Sequence, residues 1–342
     1  MTGYFIRRFL LIIPTFLGIT VAAFFIMQIV PGGPVERQIM RYKMAQMGEG
    51  GGGGGGGRGV EIPAEAKAEL MRYYGFDKPI HVRYAKWLWN VIHLDLGNSY
   101  VYQEPVWDVI KARFPVSIFL GLTGFILSYM VCIPLGVWKA VKHGSKFDFA
   151  SSFIVFLGYS IPGWALGTLL LVLFGGGSFW DVFPLGMFRP DNWNYLTFFE
   201  KIYTQIYYMF LPVCCYMIAD FATLTILTKN SLMENLGQDY VRTAFAKGLN
   251  ERRVIFVHAL RNSLIPLATG FGTVFSLILA GSFLIEKVFN IDGMGFLGYN
   301  AIQQRDYPVA LGILVISSLL MLLGNIASDI AYVIVDPRIR FK

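Results

Sequence analysis

The sequence predicts an all-α, polytopic membrane protein. Three observations carry the prediction: apolar runs long enough to cross a bilayer, a low share of charge, and the gathering of that charge between the runs. Hydrophobic residues make up 55% of the 342 residues and charged residues only 15%, against roughly a quarter in soluble domains. A bilayer core takes about 20 mostly apolar residues as a helix. Six segments meet that length: Phe9–Val30, Pro115–Trp138, Phe149–Phe174, Met209–Leu227, Leu264–Ile285 and Val309–Val335. Backbone amides in lipid must bond internally, and none of these runs alternates as a barrel strand would, so helices follow.

Arg7 and Arg8 precede the first run. A cleaved leader has an apolar stretch of about 7–15 residues; this run is longer and ends in Pro31-Gly32-Gly33-Pro34, so it is expected to stay as a transmembrane helix. The segment 31–114 follows as an external loop. Its centre, 48–59, is dominated by the unbroken glycines Gly50–Gly57. Glycine loses the most backbone entropy on ordering, which marks a flexible linker. A phosphate-cradling loop would need a following Lys-Ser or Lys-Thr pair, and none is there. Two short helices are expected after it. One spans Pro63–Tyr74, opened by proline and stopped by Gly75; the other spans 80–93, with Ala85, Leu88, Trp89 and Ile92 on one face. Both would form a cap on the outer membrane surface.

The core, 115–335, contains the other five runs and the long loop 228–263; the tail is 336–342. Five of the six runs contain proline: Pro14, Pro134, Pro162, Pro212 and Pro266. Proline removes a helix hydrogen bond and kinks the backbone, which suits a transporter lining a cavity. Lysine and arginine set the orientation. Lys139, Lys142 and Lys146 fill 139–148; Lys229, Arg242, Lys247, Arg252, Arg253 and Arg261 fill 228–263; Arg338, Arg340 and Lys342 fill the tail. The loops 175–208 and 286–308 hold only Arg189, Lys201, Lys287 and Arg305. The positive-inside rule then puts both termini in the cytoplasm. The net charge of +7 reflects these loops rather than a nucleic-acid surface. Cys132, Cys214 and Cys215 lie inside apolar runs with no metal or redox spacing, and read as packing residues.

The loop segment 239–249 is the most informative. Val241, Ala244, Phe245, Gly248 and Leu249 recur at helical spacing and predict one apolar stripe, with Arg242 and Lys247 off it. Asp239 suits the start of such a helix and Gly248 its end. The stripe needs a groove. By pattern alone, a groove on another protein is as well supported as the alternative, in which the stripe packs on this chain's own helices or lies on the membrane.

The run Tyr240-Val241-Arg242-Thr243-Ala244-Phe245-Ala246-Lys247-Gly248-Leu249, followed by His258-Ala259-Leu260-Arg261-Asn262-Ser263-Leu264-Ile265-Pro266, resembles the cytoplasmic coupling loop of bacterial dipeptide and oligopeptide ABC importer permeases. The general importer pattern is Glu-Ala-Ala, three residues, then Gly; here Arg242, Thr243 and Ala244 precede Gly248, and the glutamate is absent. The resemblance extends to Tyr4-Phe5-Ile6-Arg7-Arg8, Pro31–Pro34, Tyr74–Pro79, Asp95–Ser99, Arg305–Val309 and Val335–Arg338. The glycine-rich insertion, Thr228-Lys229-Asn230-Ser231 and Leu297-Gly298-Tyr299 are similar to the B-type permeases of the Yej branch, which import oligopeptides and peptide-nucleotide antibiotics such as microcin C.

The resemblance implies a type I (MetI-like) importer permease with an external insertion after its first helix. It implies a bacterial inner-membrane location, a second homologous permease, ATP-binding subunits and a periplasmic peptide-binding protein. It also implies that Tyr240, Val241, Arg242, Thr243, Ala244, Phe245, Lys247, Gly248 and Leu249 couple to the ATPase. The chain has no Walker-type lysine motif, so it is expected to be no enzyme; ATP and magnesium would sit on the partner subunits.

Asp220 lies near the middle of the fourth run. Carboxylates inside a membrane are costly and are functional candidates. Asp220, Tyr216 and Phe221 are candidates for the substrate path; the structural alternative pairs Asp220 with Thr223 or Thr225. Two rival classes are weaker. A proton-coupled transporter would want relay carboxylates in several helices, and only Asp220 is central, with Asp329 toward the end of the last run. A membrane hydrolase would want paired metal histidines or a Ser-His pair, whereas His81, His93, His143 and His258 all read as loop residues with no metal spacing.

Overall fold

The computed structural model describes residues 2–29, 33, 35–36, 39–40, 64–73, 75–177, 179–268 and 282–335. The glycine-rich stretch 48–59, the tail 336–342 and most of the fifth expected span, 269–281, lie outside the described residues.

The protein is all-helical within those residues, apart from two isolated bridges, Asn98 with Pro105 and Gly175 with Phe183. In chain order the helices are α1 (Thr2–Ile29), α2 (Ala64–Tyr73), α3 (Ile80–Ile92), α4 (Val106–Val141), α5 (Lys146–Ser160), α6 (Gly163–Phe174), α7 (Phe198–Leu236) and α8 (Asp239–Ala246). A short turn, Glu251–Arg253, runs into a π-helical stretch, Val254–Ala259, and then Leu260–Ser263 and Ile265–Ala268. The last three are α9 (Phe283–Val288), α10 (Met294–Gln303) and α11 (Tyr307–Val335).

Ile6–Ile29, Val106–Val141 and Tyr307–Ile330 are each long and apolar enough to cross a bilayer. The third and fourth expected spans are present as bent pairs. α5 and α6 meet at 96°, and α7 bends by 51° between Phe198–Ile218 and Asp220–Leu236. The first break lies at Ile161 and Pro162, which leave the helical region at ψ 118° and 135°, the conformation a proline favours in the residue before it, so a single helix over Phe149–Phe174 is replaced by two. Pro14, Pro115, Pro134 and Pro212, by contrast, lie inside continuous helices.

The chain divides into two compact units. One is Met1–Ile12, Arg113–Leu297 and Ile316–Lys342. Its interior is a cluster of Leu120, Met209, Leu211, Val213, Cys215, Ile285, Phe289 and Ile291. Small residues let α6 approach α7 and the residue that ends α9. A Cβ at Gly163 would stand 2.9 Å from the Cys215 carbonyl oxygen, and one at Gly167 would stand 2.9 Å from the Phe289 ring. Gly163 and Gly167 are four apart, the spacing that brings membrane helices into backbone contact. At one edge of the same unit Arg8 forms an ion pair with Asp329, which accounts for a carboxylate in the last run.

The other unit is Ile13–Ala112 and Gly298–Val315. Here Phe24 packs against Tyr84 and Trp87 with ring centroids 5.5 Å apart, and Thr20 and Tyr84 share a 3.1 Å hydrogen bond. The buried side of α3 therefore carries Tyr84, Trp87 and Val91. Trp89 and Ile92, which share the expected apolar face with Ala85 and Leu88, are 64% and 65% exposed on the opposite side. Two sequence motifs about 200 residues apart meet at the buried Asp306, which accepts from Ser99 Oγ and from the Tyr100 and Val101 N–H groups at 3.0 and 3.2 Å.

Candidate functional site

α8 is short, and its ends explain its length. Asp239 lies in the first turn, where a carboxylate favours the positive end of the helix. The far end is a two-bond cap: the Gly248 N–H donates to the Phe245 carbonyl (2.9 Å) and the Leu249 N–H to the Ala244 carbonyl (3.3 Å). That closure needs a left-handed residue at its corner. Gly248 supplies it at φ +76°, and Leu249 folds back against the cluster that holds Ala244. Asn250 then caps the next turn by accepting from the Arg252 N–H at 3.0 Å.

The expected stripe divides in two. Val241 and Ala244 are buried, 1% and 7% exposed, against Val137 and Ala140 of α4, Leu232 of α7, and Val254, Ile255 and Ala259 of the π-helical stretch. Phe245 is 47% exposed and Gly248 lies beyond the helix in the open. This corrects the single-face reading: the helix stops at Ala246, so Gly248 leaves the helical register, and Phe245 turns outward. Ala244 is consequently not a surface for close approach by a partner, because this chain already covers it. The outward face carries Tyr240, Arg242, Thr243, Phe245 and Lys247. Tyr240 donates to Asn235 Oδ1 at 2.8 Å, and Arg242 stands 3.6 Å from Asp239. The result is a short helix fixed on one side and presenting an aromatic, cationic surface on the other.

The substrate-path candidates separate as well. Asp220 begins the second half of the bent α7 and is exposed on the single chain, as is Thr223. Thr225 is fully buried and faces another way. Phe221 is half-buried. Tyr216 is occupied inside the chain: its hydroxyl donates to Glu286 Oε1 (3.3 Å) and accepts from the Ser282 N–H (2.7 Å). The sequence reading missed that hub. Glu286 is fully buried and also accepts from the Phe296 N–H at 2.7 Å. Gly293 is required beside it, since a Cβ there would stand 2.7 Å from the Glu286 carboxyl carbon. The sequence signal was a glutamate followed seven residues later by a glycine, too common a pattern to single out.

The histidines are partly corrected. His81 is in α3 and His258 in the π-helical stretch; His93 follows α3, and His143 sits in the turn after α4. No cluster of metal-binding side chains occurs among the described residues. Cys132 and Cys215 are buried and Cys214 is half-buried, all as free thiols.

Comparison with known proteins places this geometry in a family. Residues 132–341 match the family described as binding-protein-dependent transport system inner membrane component. The chain is 43% identical to the inner membrane ABC transporter permease protein YejB of Escherichia coli O157:H7, with 100% of both chains covered. It is 40% identical to the peptidoglycan transport system permease protein YejB of Agrobacterium fabrum, covering 100% of this chain and 99% of that one. The oligopeptide transport system permease protein AppB of Bacillus subtilis is 37% identical, again over 100% of both chains.

Proposed function

Since the chain belongs to the family of binding-protein-dependent inner-membrane transport components, as a permease subunit of an ABC peptide importer, we propose that α8 and its cap are where ATP hydrolysis on a partner is turned into movement of this subunit. One observation carries the proposal. α8 is seated on its own chain through Val241 and Ala244 while Tyr240 and Phe245 stay exposed, 39% and 47%. An exposed aromatic on a fixed short helix suits insertion into a groove of another protein. Such a helix moves with α4 and α7 as one body.

In this reading the segment 228–263, whose first residues to Leu236 are the end of α7, and both termini face the cytoplasm, where Lys and Arg are concentrated. ATP and magnesium sit on two ATP-binding subunits. A second homologous permease completes the path, and a periplasmic peptide-binding protein delivers oligopeptides, peptide-nucleotide antibiotics such as microcin C among them. Asp220 and Phe221 face that path or the second permease, while Tyr216 packs internally. ATP closes the ATPase pair, the closure shifts α8, and the bent spans exchange inward-open for outward-open access.

The test is ATP-driven uptake of a labelled oligopeptide into proteoliposomes holding this chain with its partner permease, ATPase and binding protein. Uptake should require ATP and this chain together. Uptake by this chain alone under a proton gradient would refute the reading.

A further inference from the structure

We propose that Lys229, acting through Asp148 and Lys139, is a positioning residue for coupling: it ties the base of α5 to the block on which α8 rests, so that motion of α8 reaches the bent α5–α6 span. The proposal rests on the reading of α8 as the ATPase-docking element.

The geometry is a buried charge cluster joining three helices. Lys139, near the end of α4, is 1% exposed. Its ammonium donates to the Asp148 carbonyl (3.0 Å), Ser151 Oγ (2.8 Å) and Ser152 Oγ (2.7 Å), and stands 3.2 Å from the Asp148 carboxylate. Lys229 of α7 donates to both oxygens of that carboxylate, at 2.8 and 2.7 Å. The Gly144 N–H donates to it at 3.2 Å, and His143 Nδ1 lies 3.2 Å away. Asp148 is in the first turn of α5, which Ser145 caps. Charges removed from water persist only when paired and hydrogen-bonded, so each lysine here holds the carboxylate in place, and with it α5.

The same turns of α4 and α7 carry α8. Val137 and Ala140 flank Lys139, and Leu232 is one turn beyond Lys229; all three belong to the buried cluster that holds Val241 and Ala244. The two helices are in close contact there, because a Cβ on Gly136 would stand 2.6 Å from Thr228 Cβ and 2.8 Å from the Thr225 carbonyl oxygen. α8, α4 and α7 therefore form one packed unit, and Lys229–Asp148 fastens the first turn of α5 to it. α5 is the half-span that leads into the 96° break before α6.

Lys229→Met isolates the link. It removes the α7–α5 bond but leaves Asp148 with Lys139, so no buried carboxylate is orphaned. Lys229→Arg keeps the charge and two donors. In proteoliposomes containing the whole importer, Lys229→Met should hydrolyse ATP at the wild-type rate but import roughly tenfold less peptide per ATP, within the ordinary range of coupling between sites. Lys229→Arg should restore the ratio. A second measurement holds even where the methionine variant fails to assemble. Spin labels at Lys146→Cys of α5 and Glu234→Cys of α7, both exposed and outside the docking face, with Cys214→Ala, should report one distance in nucleotide-free and ATP-trapped complexes. A wild-type peptide-per-ATP ratio in Lys229→Met, failure of arginine to rescue, or a label distance that changes with nucleotide would each overturn the proposal. A wild-type complex that imports no peptide would instead overturn the importer reading beneath it.

Discussion

Replacing Phe245 and Val241 separately by alanine tests whether α8 has one face for its own chain and one for a partner. The two residues are four apart on one helix, yet Val241 is 1% exposed and Phe245 47%. Val241→Ala deletes two buried methyl groups, worth about 0.8 kcal/mol each in transfer, and leaves a cavity; about 2 kcal/mol of stability should go. Phe245→Ala removes a ring already half in water, and the isolated permease should change by less than about 1 kcal/mol. At the ATPase interface the order reverses. A central aromatic anchor is worth about 2 kcal/mol or more, and at 1.4 kcal/mol per decade its loss weakens docking roughly 30-fold. The assay pairs a thermal melt of the permease in nanodiscs with titration of the ATPase subunit onto the same discs. Phe245→Ala should melt like wild type and bind weakly; Val241→Ala should melt early and bind, while folded, nearly normally. Wild-type affinity in Phe245→Ala would refute the two-face assignment.

Three further outcomes follow from the same contacts. Gly248 stands at φ +76° with open space around it, so the penalty for a side chain is backbone strain alone; Gly248→Val should lose more than about 1 kcal/mol and Gly248→Asn markedly less, read as melting temperature and uptake. Gly136→Ala sets a methyl 2.8 Å from a backbone oxygen that no second substitution can remove, so it should destabilise the permease by about 1–3 kcal/mol, and Thr228→Ala should not restore it. Asp306→Ala removes the acceptor shared by Ser99 Oγ and the Tyr100 and Val101 N–H groups, leaving Val101 its 3.2 Å bond to Ser99 Oγ, and should cost about 1–3 kcal/mol, whereas Asp306→Asn retains an acceptor oxygen and should cost less in a chemical or thermal unfolding series.

The segment 239–249 illustrates what is legible in the sequence. Its start at Asp239, its glycine stop and its helical spacing are local properties, because capping and periodicity depend on neighbours within a few residues. Which stripe residue faces inward is not local. It depends on where the helix ends and on what α4, α7 and the π-helical stretch offer, so Val241 and Ala244 are buried and Phe245 is not. Asp220 shows the same division: its mid-run position was plain, but that it stays exposed while Thr225 is fully buried depends on which helices pack against that half of α7.

The sequence by itself determined the solvent of this protein and the number of its long apolar runs. Those follow from the length of a run against the thickness of a bilayer, which a linear scan measures directly. Only the tertiary structure decided the rest. Lys139 and Lys229 were counted as loop charges, yet they close on Asp148 from 9 and 81 residues away. Ser99 meets Asp306 across 207 residues, and Tyr216 meets Glu286 across 70. Such bonds need donor and acceptor atoms on two distant segments held within about 3 Å of one another. No local pattern encodes that proximity; it arises when the helices pack and each buried polar group must find a partner.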